Sequence, residues 1–121
     1  MKEIAEYVGI KYIEHQKVYD GINCPEYFKQ FLRNGKFWFT DEDLNFKSNW
    51  NLLMPAIEKI SAYRFEDGDT AYPRTFGMIC EETGEFMFRF NRSELFSAPT
   101  LIEAAYMAVV DFINWFNEQK Q

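Results

Sequence analysis

The sequence predicts an α+β domain, a mainly antiparallel sheet of three to four strands packed against two main helices in the order α-β-(irregular)-α-β-β-β-α. Three observations carry that reading. Two segments, around 50–60 and 102–116, repeat apolar residues at helical spacing. Phe86, Phe88 and Phe90 alternate as one face of a strand does. The chain has 121 residues, one domain's worth, so 1–121 is expected to close around a single core.

Taken in order, Ile4, Ala5, Tyr7 and Val8 fall at helical spacing and stop at Gly9, a residue suited to a left-handed helix end. A short amphipathic helix is expected there. From 10 to 19 the pattern alternates and meets an Asp20-Gly21 turn signal, which reads as a strand or an irregular hairpin, with His15 at an exposed strand position. Residues 25–32 read as a short helix presenting Tyr27, Phe28, Phe31 and Leu32, ended by Asn34-Gly35. The apolar run Phe37-Trp38-Phe39 follows, and 21–47 as a whole reads as irregular.

Trp50, Leu53, Met54, Ile57 and Ile60 recur on one helix face behind a Ser48 cap, which predicts a helix over 49–61. Pro55 has no N–H and its ring crowds the preceding turn, so a kink or a late start is expected. A strand over 62–65, a polar turn at 66–69, and strands over 74–80 and 85–90 around Glu82-Thr83-Gly84 then read as a meander. Phe76, Met78 and Cys80 are expected to line the same sheet face as Phe86, Phe88 and Phe90, with Met87 and Arg89 on the other. Thr100 and Glu103 form a capping-box pattern opening a last helix that runs to about 118. Its stripe of Ile102, Ala105, Tyr106, Val109, Ile113 and Phe116 is widened by Leu101, Ala108, Phe112 and Trp115. The helix is therefore expected to be sandwiched between layers.

Composition narrows the function classes. With 13 Lys and Arg against 19 Asp and Glu the net charge is −6, which repels a phosphate backbone and disfavours nucleic-acid binding. Cys24 and Cys80 match no paired-ligand spacing and read as reduced thiols, Cys80 in the core. The first residues carry Lys2, Glu3 and Glu6 without a long apolar run, and no stretch approaches a membrane span. The expectation is a cytoplasmic protein with no membrane partner.

No catalytic constellation stands out. His15 is the one histidine, which leaves no histidine-based zinc site and no spare proton shuttle, and it reads as a solvated surface residue. Asp41-Glu42-Asp43 and the run at 66–69 could draw a divalent cation but match no calcium-loop spacing, so neither a metal nor a cofactor is expected. The six glycines never cluster, and neither a phosphate loop nor a nucleophile elbow occurs. The surplus is in aromatics, with 13 Phe, 7 Tyr and 3 Trp. Trp38, Trp50, Trp115, Tyr63, Tyr72 and Tyr106 exceed what a small core normally needs. Trp38, Trp50, Tyr72 and Trp115 are the candidate binding residues, since exposed Trp and Tyr are enriched at interaction hot spots.

Three blocks carry a resemblance: Ile4-Ala5-Glu6-Tyr7-Val8-Gly9, the run 46–60 with its Trp50-Asn51-Leu52-Leu53-Met54-Pro55 core, and the aromatic run 104–117. Together they resemble small phage and prophage proteins with α/β sandwich-like domains, and Lys11 to Asn45 has no counterpart. The resemblance implies a phage-type accessory protein in a bacterial cytoplasm that binds a host or phage protein, or itself. It transfers no functional residue. The reading is a non-enzymatic protein-interaction module. The alternative is a small-molecule-binding protein or small enzyme whose site is assembled from scattered residues such as Glu58, Tyr72, Arg74 and Arg89.

Overall fold

The first glycine in the chain ends the first helix, α1 (Lys2–Tyr7). The computed structural model describes residues 2–31, 37–76 and 85–119. Gly9 stands at φ +96°, its N–H donates to Glu6 O (3.1 Å), and the Ile10 N–H donates to Ala5 O (2.8 Å). These paired bonds satisfy carbonyls that the end of a helix leaves open, and they need a left-handed residue between them.

The chain then makes a hairpin of β1 (Tyr12–Ile13) and β2 (Val18–Asp20), with Tyr12 opposite Tyr19 and Ile13 opposite Val18. His15 is exposed, as expected, but in the connecting turn rather than on a strand. A 3-10 helix (Glu26–Phe31) buries Phe28 and leaves Tyr27 exposed. β3 (Trp38–Phe39) pairs with β2 through Tyr19 opposite Phe39 and Asp20 opposite Trp38, completing an antiparallel sheet ordered β1-β2-β3. Tyr19 at its centre is buried and its hydroxyl donates to Asp41 (2.8 Å); burial and then that carboxylate push its ionisation well above the ordinary tyrosine range.

The second helix, α2 (Trp50–Ser61), is capped by Asn49 rather than Ser48: the Asn49 side chain accepts from the Asn51 N–H (3.0 Å), and its backbone is extended as a cap requires. The buried face is Leu52, Leu53, Ala56, Ile57 and Ile60. Trp50 and Met54, read from the sequence as part of that stripe, are each 38% exposed. The helix starts ahead of Pro55 and runs through it, so the late start does not occur. A proline cannot donate to the carbonyl four residues back, which here is Asn51 O. The Tyr27 hydroxyl donates to that oxygen (3.1 Å) and so supplies a donor where the helix lacks one.

Tyr27→Phe is therefore expected to destabilise the protein by about 0.5–1 kcal/mol, the net value of a partly solvated hydrogen bond. In a Pro55→Ala background the same change should cost close to nothing, because the backbone N–H returns. Urea denaturation of the four proteins of that cycle measures the coupling.

Residues 62–65 do not form a strand of the sheet. After α2 the chain folds back on its own loop, with the Phe65 N–H on Asp69 O (2.7 Å), the Ala71 N–H on Tyr63 O (3.0 Å) and a single bridge between Arg64 and Thr70. The second sheet is made instead of β4 (Pro73–Phe76), β5 (Phe86–Phe90) and β6 (Phe96–Ala98), antiparallel in the order β4-β5-β6. Among the described residues the strands thus form two three-stranded sheets rather than one of three to four strands.

The register also departs from expectation. Phe76 pairs with Met87, Thr75 with Phe88 and Arg74 with Arg89, so Phe76 belongs to the register positions of Met87 and Arg89, not to those of Phe88 and Phe90. Met78, Cys80 and the Glu82-Thr83-Gly84 connection lie outside the described residues.

The last helix, α3 (Leu101–Gln119), opens with Thr100 Oγ1 accepting from the Glu103 N–H (3.3 Å). It packs on β5 and β6 and also on α1 and α2, the sandwiched position that its wide apolar side predicts. Ala104, Ala105 and Ala108 are fully buried and let these neighbours approach closely, while Val109, Phe112 and Ile113 fill the space between them. No described helix is long and apolar enough to cross a membrane.

Candidate interaction surfaces

Three of the four candidate residues stand in solvent. Trp38 on β3 is 49% exposed, Trp50 at the start of α2 38%, and Tyr72 before β4 39%. Around Trp38 lie Phe37 and Ile22, joined through the Gly21 N–H on Phe37 O (3.0 Å) and the pairing of Trp38 with Asp20. Around Trp50 lie Met54, one helical turn on, and Tyr27, bonded to Asn51 O; Tyr27 and Met54 also line a shallow cavity with Pro55, Glu58 and Lys59. Among the described residues, six of the nine large apolar side chains that are exposed therefore fall between Ile22 and Met54. Sequence reasoning missed Tyr27 and Met54 as surface residues because their spacing is equally that of a core stripe.

Trp115 behaves differently. It is partly buried, with ring centres 5.8 Å from Tyr63, 5.9 Å from Phe65 and 5.5 Å from Phe112. Its outer side lines two open cavities of about 520 and 560 Å³ that share Phe65, Arg92 and Trp115 and so form one groove. One wall is the 63–70 loop. The other is the β5–β6 turn with the C-terminal half of α3.

The turn is built for its position. Ser93 Oγ accepts from the Phe90 N–H (3.0 Å), and Asn91 Nδ2 donates to Thr70 O (2.9 Å), which ties the turn to the facing loop. Arg92 between them takes a left-handed backbone (φ 69°), unusual for a residue with a Cβ. Its guanidinium lies 4.5 Å from the centre of the Phe65 ring and donates to Asp67 and to Asp69 (2.9 Å). That guanidinium holds the Asp67 carboxyl below the usual carboxylate range. From α3, Asp111, Asn114, Trp115 and Glu118 reach the groove at i, i+3, i+4 and i+7, one helix face.

The scattered polar set comes together in part. Arg74 donates to the Tyr72 hydroxyl (2.9 Å) and pairs in register with Arg89, whereas Glu58 lies on α2 in the cavity with Tyr27. The acidic runs are engaged locally: Asp43 accepts from the Thr40 N–H and hydroxyl (both 3.0 Å), and Asp41 accepts from Tyr19. Among the described residues no group of three or more His, Cys, Asp or Glu could hold a metal ion. Cys24 is a buried free thiol donating to Gly21 O (3.2 Å), and burial pushes its ionisation up; Cys80 lies outside the described residues.

The chain matches no protein-family model, no curated protein and no solved structure.

Proposed function

We propose that this protein is a non-enzymatic interaction module that binds a host or phage protein, or a second copy of itself, in the bacterial cytoplasm. The observation that carries the reading is the concentration of exposed aromatic and apolar side chains between Ile22 and Met54, Trp38 and Trp50 among them. Holding large apolar groups in water forgoes the gain of burying them, and aromatic anchors of this kind are what protein partners cover. The phage-like sequence blocks supply the setting.

Trp38→Ala and Trp50→Ala are made in the tagged full chain, and each is compared with the wild type by quantitative pull-down from bacterial lysate and by light scattering. A hot-spot tryptophan contributes about 2 kcal/mol, so one of the two variants should weaken capture or self-association roughly thirtyfold with an unchanged melting temperature. A wild-type chain that is monomeric at every concentration and enriches no protein over a mock column would overturn the reading.

A further inference from the structure

The groove beside Trp115 has a chemistry that the apolar clusters around Trp38 and Trp50 do not share. Its floor is aromatic, from Phe65, Phe112 and Trp115. Its rim carries the carboxylates of Glu66, Asp67, Glu94, Asp111 and Glu118 against one cation among the described residues, Arg92. Asp67 is matched by Arg92, while among the described residues Glu66, Glu94, Asp111 and Glu118 stand in no ion pair.

Arg92 itself shows what such a surface holds. A guanidinium over an aromatic ring gains from its negative face while its N–H groups reach carboxylates at the side, and this one sits 4.5 Å from the centre of the Phe65 ring with Asp67 and Asp69 beside it. Farther along the groove Trp115 offers a second ring, and Asp111 and Glu118 flank it on the same helix face, in no ion pair among the described residues. The half of the groove on α3 thus sets an aromatic ring beside carboxylates, as the half around Arg92 does.

We infer that this groove docks a basic segment of a partner protein, with an arginine side chain laid against Trp115 between Asp111 and Glu118. Charge complementarity selects the occupant: an acidic or neutral segment would add like charge or leave the carboxylates unmatched, and the groove's length along two cavities suits an extended peptide better than one small cation. The inference rests on the interaction-module reading and gives the partner its chemistry.

The test titrates the full chain into a fluorescein-labelled octapeptide of alternating leucine and arginine and follows anisotropy. Versions with citrulline or glutamate in place of arginine are run alongside, with agmatine as a competitor. Saturable binding of the arginine peptide is expected, weakened about tenfold by citrulline and about tenfold by the isosteric double variant Asp111→Asn/Glu118→Gln. The pair Glu26→Gln/Glu42→Gln, on residues that line neither cavity, removes the same charge and should leave it unchanged. The inference is overturned by an absence of saturable binding, by equal binding of the glutamate peptide, or by equal losses in the two double variants. Agmatine competing as tightly as the peptide would likewise overturn it, by making the occupant a small cation. Trp38→Ala and Trp50→Ala do not touch the groove, so this titration and the capture experiment fail separately.

Discussion

Phe112→Ala is expected to lower the free energy of unfolding by about 3–5 kcal/mol, the usual cost of emptying a buried aromatic site. Phe112 is 4% exposed and lies where α3 meets the second sheet. Its ring centre is 5.4 Å from Tyr63, 6.0 Å from Phe90, 5.5 Å from Trp115 and 6.4 Å from Phe116. Alanine there removes a shared neighbour from four rings at once, and rings cannot flow inward to refill the space. A domain of this size is stable by about 5–15 kcal/mol, so the variant should sit near the edge of folding. Urea denaturation measures the loss as a lower midpoint at an unchanged slope. Phe112→Leu keeps most of the volume and should lose about 1.5 kcal/mol or less.

Gly9→Ala is expected to cost about 2 kcal/mol and Gly68→Ala about 1 kcal/mol, although both glycines have nearly the same backbone, φ +96° and +94°. The left-handed conformation penalises a Cβ equally at the two sites. The surroundings differ: a Cβ on Gly9 would meet Pro25 Cγ at 3.1 Å, whereas one on Gly68 would meet nothing within 4 Å. Thermal and urea unfolding of the two variants side by side separates the backbone cost from the contact. Equal losses would mean that Pro25 moves aside without cost.

Much of this fold is legible from periodicity. The last helix, its Thr100 cap and its sandwiched position follow from apolar residues on more than one face. The Gly9 helix end follows from a glycine placed directly after an apolar repeat. What escapes is set by partners distant in sequence. Phe96, Ser97 and Ala98 make a strand too short to show alternation, and they are a strand because β5 lies beside them. Residues 62–65 have the composition of a strand but pair with their own loop. Trp50 and Met54 share the spacing of a core stripe, and only packing decides that α2 turns Leu52 and Ala56 inward instead.

Among the candidate residues, Trp38, Trp50 and Tyr72 are picked out by type alone, because a surplus of aromatics must leave some outside. The groove is a different matter. Its residues come from three separate stretches, around 63–67, 91–94 and 111–118, and Arg92 carries no local motif. The one signal in the linear chain is the spacing of Asp111, Trp115 and Glu118, which puts two carboxylates and a tryptophan on a single helix face.

The packing of α1 on α3, with the Tyr7 ring set edgewise 5.5 Å from Phe116, also bears on how the protein is born. The first helix leaves the ribosome long before the helix that shields it has been translated, and six residues cannot hold a helix unaided. Ile4 and Ala5 therefore travel uncovered through elongation, and the nascent chain reaches its final form only once α3 has cleared the exit tunnel. A stop codon placed within α3 would consequently unravel α1 as well as α3 itself.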